Sequence, residues 1–553
     1  MFFFTRKAAT AIILTIAFGF LILSSNSSSR SMQLLLSHPT AYAAQQQTNN
    51  NNLFITHGVA SGDITEHSAI IWSRTNKQAQ MHVEYDADLN FSQPKSAKTA
   101  LANQTTDFTT HAKLEGLSPN TLYYYRVWFS SLSSSENKNR SVVSDAMIGS
   151  FRTPPDSLSV DDTDNPIISF IFAADLGGQL YCRQIDKGYS IFSKMKELSP
   201  DFFIANGDMI YAGDKCPADG PDGPSGWQNI PGNFSGIVDA DVNWTNIEQV
   251  IDVYSKHWQY NRADYHLQSF LQNTSMYSQW DDHEVINDFG ALWEYWNNFN
   301  KEREGYPNLV KVGREAFFNY SPIDRNAEDK NRIYRSFNWG PYLDLLILDA
   351  RSYRSPNSMT DTVENNKTLL GREQLQWLKQ ELLNSSATWK VISSDVPISV
   401  PTGANASILG RDAWANGNET NFSKTGFERE LQGLLKFLDD NDIKNIVFVT
   451  TDVHFPANIR YEVDANADGD KLIFHELISG PLSAFRFGVP GVPLPKLDTT
   501  FNPKLLYQEG GIFNFGYVQI QKKSEDNKVH LIAEVRGEDG LARPNSLLDL
   551  APQ

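Results

Sequence analysis

Residues 201–211, DFFIANGDMIY, decide how the rest of this chain is interpreted. The apolar run 201–205 predicts a buried strand, and the loop that closes it places Asp208 and Tyr211 three residues apart. Carboxylate and phenol oxygens are ligands that suit Fe, Mn, Mg or Ca. A glycine and an aspartate after a strand also make ordinary turns, so this loop alone does not establish a metal site.

Three further apolar runs end in carboxylates or imidazoles. Residues 167–174 lead to Asp175, residues 276–280 lead to the DDHE run 281–284, and residues 445–450 lead to Asp452 and His454. In an open α/β sheet the carboxyl ends of the strands meet in one crevice. Carboxylates gathered there repel one another unless cations neutralise them. The four strand ends therefore predict a metal site, with Asp208 as the ligand that bridges two ions.

These motifs carry a resemblance to a known family. DLGG at 175–178, GDMIY at 207–211, DDHE at 281–284 and DVH at 452–454 resemble the calcineurin-like metallophosphoesterases, and within them the PhoD-like alkaline phosphatases and phosphodiesterases. LDARSYR at 348–354, GREQLQWL at 371–378, WKVISSDVPI at 389–398 and HELISGPLSA at 475–484 extend the resemblance from about residue 53 almost to the end of the chain.

The resemblance implies a set of site residues when it is carried over position by position. It implies that Asp208 bridges two metals, that Tyr211 binds an Fe(III)-type ion as a phenolate, and that either Asp282 or Asn287 holds the second metal. It also implies that His283 lies close to the substrate, and we interpret His283 as the acid that protonates the leaving oxygen. The implied metal ligands are Asp175, Asp208, Tyr211, Asp282, Asn287, Asp452 and His454.

Arg351 follows the predicted strand before the LDARSYR motif. It resembles the arginine that grips the phosphoryl oxygens in these enzymes, and a bidentate fork would suit that task. The alternative is an ordinary surface pair with Asp349 or Glu364, which would contribute little energy.

The identity of the metals follows from departures from the family pattern. Some PhoD-like members place a cysteine thiolate near the end of the first strand, whereas this chain has Asp175 there and Cys182 seven residues later. Carboxylates at Asp282 and Asp452, where purple acid phosphatases have histidines, favour hard ions over Zn. We expect a binuclear or multinuclear centre of Fe(III) with Ca, with Mn or Mg as alternatives. Cys182 and Cys216 could form a disulfide or provide a metal thiolate.

The bulk composition limits the partners. The chain has 48 basic and 65 acidic side chains, a net charge of −17, which argues against a nucleic-acid partner. Arg6 and Lys7 precede an apolar run, so residues 1–43 are predicted to be a signal peptide or a membrane anchor. Residues 44–52 are a polar linker. An extracellular or cell-surface protein, with a possible membrane tether at its N-terminus, is therefore expected, and the sequence does not indicate its oligomeric state.

The predicted fold class is α/β, with two domains. Residues 53–155 alternate like the strands of an all-β fibronectin III or immunoglobulin-like sandwich, and residues 165–545 predict a four-layer αββα metallophosphoesterase sandwich. Two long loops, 214–243 and 485–503, are predicted to be lids or surface decoration. Residues 464–470, DANADGD, resemble a calcium loop but lack the final glutamate, so we expect a hairpin turn.

The sequence predicts an exported, metal-dependent hydrolase of phosphoric esters, in which two metals activate a water that attacks phosphorus. Its acidic site slightly favours diesters over monoesters. The alternative is a cell-surface binding protein that keeps a metallophosphoesterase scaffold without catalysis.

Overall fold

A computed structural model describes the chain in segments: residues 52–132, 142–156, 168–221, 223, 226–290, 305–357, 359–401, 412–416 and 426–553. The predicted signal or anchor segment 1–43 lies outside these residues, as does the predicted linker up to residue 51. Within the described segments, no helix combines the length and the apolar composition that crossing a bilayer requires.

Two large sheets form the centre of the fold. The nine-stranded sheet contains, in spatial order, β21 (Leu548–Leu550), β20 (Val529–Gly537), β19 (Asn514–Lys522), β9 (Ile168–Ala173), β10 (Phe202–Asn206), β11 (Ser275–Gln279), β1 (Ile55–Gly62), β2 (Ser68–Thr75) and β6 (Thr109–Glu115). The seven-stranded sheet contains β12 (Arg335–Trp339), β13 (Leu343–Ile347), β14 (Trp389–Ser394), β15 (Ile446–Thr450), β17 (Leu472–Ile478), β16 (Ala457–Val463) and β18 (Lys504–Gln508).

The strands that lead to the predicted site residues are parallel within each sheet. β9, β10 and β11 pair in parallel, and so do β13, β14, β15 and β17. All of the strands that precede the predicted ligands are buried along their whole length, which explains why their sequences are continuous apolar runs. Their carboxyl ends therefore meet at one edge of each sheet, as the sequence predicts.

Helices cover the outer faces of both sheets. One apolar cluster, which includes Phe170, Ile204, Leu345 and Val391, fills the space between the sheets. A second apolar cluster lies between the nine-stranded sheet and its helices, and a third lies between the seven-stranded sheet and its helices. The helices are α1 (Ile191–Glu197), α2 (Ile247–Arg262), α3 (Tyr265–Leu271), α4 (Tyr306–Tyr320), α5 (Gly371–Asn384) and α6 (Glu428–Asp440). The result is a sheet-rich α/β fold with helix, sheet, sheet and helix layers.

The N-terminal region is all-β, but it is continuous with the rest of the fold. A third sheet of five strands packs against β1, β2 and β6 over an apolar cluster. β1 also pairs in parallel with β11, with Gly62 opposite Met276, and residues from Asn51 onward form one compact unit. The strands of the third sheet are β3 (Ala79–Asp86), β4 (Lys95–Ser96), β5 (Ala100–Ala102), β7 (Leu122–Ser130) and β8 (Met147–Arg152).

Polar contacts fix the N-terminal strands against helices α2 and α4. The Trp72 indole donates to the Asn319 carbonyl at 2.7 Å, and the Asp107 carboxylate accepts from Arg74 and from Gln259 at 2.6 Å. The N-terminal region therefore braces the helices that cover the nine-stranded sheet.

The loop 464–470 is a hairpin turn, as predicted. It joins β16 to β17, which pair antiparallel with Val463 opposite Leu472. Its side chains hydrogen-bond within the turn, for example from Asn466 to Asp468 at 3.1 Å.

Candidate metal centre

Four predicted ligands adopt a backbone conformation that residues other than glycine rarely occupy. Asp175, Asp208, Asp452 and His454 have φ angles of 63°, 51°, 71° and 56°. Residues in this left-handed region cost free energy and are concentrated at functional sites, where the surrounding structure holds them in place. The strand ends therefore turn their ligands sharply toward a common centre.

Two glycines allow the loops to approach one another. Gly207, with φ of 100°, lies so close to Asp281 that an added Cβ would come within 2.5 Å of the Asp281 Cβ. Gly178 lies against the Tyr211 ring, where an added Cβ would also come within 2.5 Å. The glycines of the DLGG and GDMIY motifs are thus required by close packing around Asp208 and Tyr211.

Tyr211 lies between two other predicted ligands. Its hydroxyl is 3.4 Å from Asp175 Oδ1 and 3.1 Å from His454 Nε2. The opposite ring nitrogen of His454 lies 2.6 Å from the Phe485 carbonyl oxygen, which fixes the orientation of the imidazole. The phenol ring also stacks on His283, with ring centroids 4.0 Å apart.

Two groups of side chains have ligand atoms within 4.8 Å of one another: Asp208 with Asp282 and His283, and Asp281 with Asp282 and Asp452. Asp282 belongs to both groups, so its carboxylate lies between them. The bridging role of Asp208 stays a prediction, and its Oδ1 accepts a hydrogen bond from the His283 amide at 3.0 Å. His283 could bind a metal through the same ring that we interpret as a proton donor.

Unpartnered polar atoms indicate that this site is built for cations. Buried oxygens or nitrogens of five side chains make no hydrogen bond within the described part of the chain: Asp175 Oδ2, Asp208 Oδ2, Asp281 Oδ2, Asp282 Oδ1 and His283 Nδ1. Leaving so many buried acceptors unpaired is costly. Carboxylate, phenol and imidazole donors fit hard metal ions, so the residues present fit the metals that the resemblance implies.

The electrostatics of the site lead to the same conclusion. Burial raises the pKa of Asp175 to about 8, although the Tyr211 hydroxyl opposes the shift. Burial and then the neighbouring carboxylates Asp282 and Asp281 raise the pKa of Asp208 well above its usual range. Burial lowers the pKa of His454 to about 4, so its imidazole is neutral and able to bind a metal. The raised pKa values of Asp175 and Asp208 favour protonation of these two carboxyls, and a cation bound beside them would displace the protons.

Glu284 holds two of the site loops together. Its carboxylate accepts from the backbone amides of Asp208, Met209 and Asp281 at distances between 2.7 and 2.9 Å. These bonds tie the loop after β10 to the loop after β11. Glu284, the last residue of the DDHE run, therefore holds the two loops together. The sequence pattern does not indicate this structural role.

Arg351 is not at the surface, so the expectation of a surface pair with Asp349 or Glu364 is wrong. Its side chain is fully buried, and the guanidinium Nε donates to Asp281 Oδ1 at 2.5 Å. The reason is that the turn after β13 directs the side chain toward the loop after β11. The predicted interaction of Arg351 with the phosphoryl oxygens of a substrate stays a prediction.

Asn287 has its own local partner. Its side-chain amide donates to Asp288 at 2.8 Å, and the Asp288 backbone amide donates to Asp282 Oδ2 at 2.5 Å. Asn287 therefore lies in the turn that supports Asp282, and its role as a metal ligand stays a prediction.

Sequence reasoning left three residues of this region out of the predicted site. Asp281 and Glu284 lie in the DDHE run, so the run itself is the sequence signal that could have pointed to them. Asp412 contacts Arg351 across 61 positions of sequence, and no motif surrounds it.

The two cysteines form a disulfide, which decides between the two predicted alternatives. Cys182 and Cys216 are bonded, with Cα atoms 5.8 Å apart. The bond joins the loop that follows Asp175 to the loop that follows Tyr211. Beside it, Asp214 accepts from the Gln179 amide at 2.6 Å. The start of the long loop 214–243 is therefore fixed next to the candidate metal centre.

Reduction of this disulfide is expected to destabilise the protein. Removing a native disulfide of this loop length costs about 2–5 kcal/mol, because the unfolded chain regains conformational freedom. Unfolding in urea with and without a reductant measures the effect. The Cys182→Ser/Cys216→Ser variant should unfold at the lower urea concentration and should not respond to reductant; equal stability with and without the bond would contradict the expectation.

Comparison with known protein families identifies the chain. The family model described as PhoD-like phosphatase matches residues 172–531, which is more than half of the sequence. The chain belongs to the PhoD-like phosphatase family. A second family model, the PhoD-like phosphatase N-terminal domain, matches residues 40–155. This PhoD-like phosphatase is accordingly a metal-dependent phosphatase whose substrates are phosphate esters.

Relatives agree with this assignment. Alkaline phosphatase D of Bacillus subtilis (strain 168) is 25% identical over 458 residues, which cover 78% of this chain and 69% of the relative. A solved structure of PhoD superposes with a TM-score of 0.63 at 20% identity, covering 91% of this chain and 94% of that one. A purple acid phosphatase from yellow lupin (Lupinus luteus) seeds gives a TM-score of 0.53 at 12% identity, covering 91% and 75%. Both structures share the fold of this PhoD-like phosphatase.

Proposed function

We propose that this PhoD-like phosphatase is an exported hydrolase that cleaves phosphate monoesters and diesters with two or more bound metal ions. The observation that carries the proposal is the convergence of ligand side chains from four strand ends of two sheets. At three of these strand ends, which lead to Asp175, Asp208 and the DDHE run, buried ligand atoms have no hydrogen-bond partner within the described residues. Asp282, shared by both groups of ligand atoms, supports a centre with more than one ion. No feature of the described residues favours the alternative of a binding protein without catalysis.

Different side chains have different roles in the proposed hydrolysis. Asp175, Asp208, Asp282, Asp452, His454 and Tyr211 would hold the cations. When bound, the cations supply positive charge that polarises the phosphoryl group and makes water more acidic. His283 is oriented by stacking on Tyr211 and could deliver a proton to the leaving oxygen from an imidazole nitrogen. Asp175, Asp208 and Asp282 are buried and Asp452 is partly exposed, and charges interact more strongly at such buried positions than in bulk water.

Hydrolysis of two aryl esters tests the proposal. Purified, metal-loaded protein should release nitrophenol from p-nitrophenyl phosphate and from bis(p-nitrophenyl) phosphate. A monoester dianion needs more positive charge than a diester monoanion, so the carboxylate-rich site should accept the diester at least as well. Absence of hydrolysis of both esters, with Mn²⁺, Ca²⁺ and iron supplied, would contradict the proposed function.

The identity of the metals is part of the proposal: Fe(III) at Tyr211 and Ca, Mn or Mg at the second position. A phenol whose pKa is raised by burial and then by Asp175 becomes a phenolate only beside a strong cation. The lack of a thiolate at residue 175 and the carboxylates Asp282 and Asp452 support hard ions.

The Tyr211→Phe variant is expected to lose a visible absorption band that the iron-loaded wild-type protein shows. Phenylalanine keeps the ring that stacks on His283 and packs against Gly178, so the fold should be retained while the phenolate is removed. Absorption spectra of the two iron-loaded proteins measure the difference. An identical spectrum for both, or a colourless, iron-free wild-type protein with full activity, would exclude Tyr211 as an iron ligand.

Export and domain organisation are also proposals. The apolar segment that follows Arg6 and Lys7 and the disulfide between Cys182 and Cys216 support an oxidising, extracellular location. We propose a metallophosphoesterase sandwich preceded by a fibronectin III-like region that braces it, with the loops 214–243 and 485–503 as walls of the substrate site. His454, which contacts the Phe485 carbonyl, connects the second of these loops to the metal centre.

A further inference from the structure

Four carboxylates surround the buried guanidinium of Arg351. Its Nε donates to Asp281 at 2.5 Å and lies 3.7 Å from Asp395 Oδ2. Its Nη1 donates to Asp412, and its Nη2 lies 3.8 Å from Asp452 Oδ1. The Arg351 side chain has no exposed surface. The Nε and Nη1 atoms of this cation are therefore bound by the protein's own anions, whereas Nη2 makes no hydrogen bond within the described residues.

Asp412 binds Nη1 of Arg351, the nitrogen that contacts neither Asp281 nor Asp452. Its second oxygen accepts from Arg354, whose guanidinium also donates to Asn357 at 2.6 Å. Burial alone would raise the pKa of Asp412, but the two guanidinium groups outweigh it and lower the pKa to about 2. The Asp412 carboxylate is therefore held between two guanidinium groups, and it fixes Nη1 of Arg351.

The opposite side of Arg351 faces candidate ligands. Asp281 and Asp452 belong with Asp282 to one group of ligand atoms. Because the guanidinium is planar and its N–H directions are fixed, holding one edge of it determines where the other edge points. The position of the Asp281 oxygen, which accepts from Nε, thus depends on a carboxylate that is not itself a ligand. The same carboxylate fixes where the guanidinium charge lies relative to Asp452, 3.8 Å from Nη2.

We propose that Asp412 and Arg351 form a positioning pair for the metal-binding carboxylates: Asp412 fixes the guanidinium, and the guanidinium orients Asp281 and Asp452. This inference deepens the proposed function and rests on it. It assigns Arg351 a role other than gripping the phosphoryl oxygens.

The Asp412→Asn variant tests the pair. Supporting groups of this kind change metal affinity or activity by about 10–100-fold. Calorimetric titration of the metal-stripped full-length protein with Mn²⁺ should show an affinity loss of that size. At limiting Mn²⁺ kcat should fall while KM for p-nitrophenyl phosphate changes by less than about twofold, and added Mn²⁺ should restore kcat. A raised KM with unchanged Mn²⁺ affinity would overturn the proposal and favour a substrate-gripping Arg351.

Two further variants make the test specific. Arg351→Lys keeps the positive charge and removes the planar guanidinium. The same loss of Mn²⁺ affinity is therefore expected for it, and it replaces Asp412→Asn in the test if that variant does not fold. Asp63→Asn is the matched control, because Asp63 is a similarly buried carboxylate that accepts from Nε and Nη2 of the Arg335 guanidinium at 2.9 and 2.7 Å. It should lower stability without changing Mn²⁺ affinity.

Different results would contradict the proposed function and the positioning pair. A wild-type protein that neither binds Mn²⁺ nor hydrolyses the ester would contradict the proposed function. A wild-type protein that does both, together with an Asp412→Asn variant of equal Mn²⁺ affinity, would contradict only the positioning pair.

Discussion

The Asp208→Asn variant is expected to hydrolyse p-nitrophenyl phosphate at least about a thousandfold more slowly than the wild-type protein, because it loses a charged ligand of the metal centre. Asp208 is fully buried, and its Oδ2 has no hydrogen-bond partner within the described segments. The amide that replaces it has the same shape and can still accept from the His283 amide. The fold should therefore survive while the charge is lost.

Asp201→Asn is the matched control for this variant. Asp201 lies at the opposite end of the same strand, where its carboxylate accepts from the Ser169 amide at 2.8 Å. It should keep kcat close to the wild-type value. Steady-state kinetics of both variants, with circular dichroism to confirm folding, measures the contrast. Wild-type turnover by a folded Asp208→Asn protein would remove Asp208 from the metal centre.

Removal of the metals is expected to make the stability of the protein fall as the pH rises. The folded-state pKa of Asp175 is about 8, against 3.8 for an ordinary aspartate. Between these values the folded state binds a proton that the unfolded state has released, so the free energy of unfolding decreases with increasing pH. One such group alone accounts for about 4 kcal/mol between pH 5 and pH 8.

Bound cations should cancel this decrease, because metal binding displaces the protons. Thermal unfolding of chelator-treated and Mn²⁺-reloaded protein at pH 5, 6.5 and 8 measures the effect. The metal-free protein should melt at the lowest temperature at pH 8, and the difference between the two forms should be largest there. A metal-free protein that is most stable at pH 8 would show that the carboxylates are not buried together.

The sequence predicts the strand ends of this fold well because those strands are buried on both faces. The predicted strand 201–205 is observed at Phe202–Asn206, and the predicted run 445–450 at Ile446–Thr450. Parallel pairing brings the carboxyl ends together within each sheet, which is why Asp175, Asp208 and the DDHE run could be predicted to meet. His454 follows a strand of the other sheet, and the packing of the two sheets places its Nε2 3.1 Å from the Tyr211 hydroxyl. Continuous apolar runs and turn glycines carry this information locally.

Long-range packing could not be predicted from the sequence in the same way. Nothing in the sequence of β1 indicates that it joins the nine-stranded sheet beside β11. The environment of Arg351 depends on Asp281, Asp395 and Asp412, each of which is far from it in sequence. Local composition makes a surface pair plausible for an arginine, whereas the fold buries this one among carboxylates.

Elemental analysis of freshly purified protein, combined with an activity assay, is the sharpest test of the metal centre. We expect at least two metal ions per chain, loss of phosphate ester hydrolysis when they are stripped, and recovery when they are returned. Full hydrolysis by a protein that contains less than one metal ion per chain would contradict this expectation.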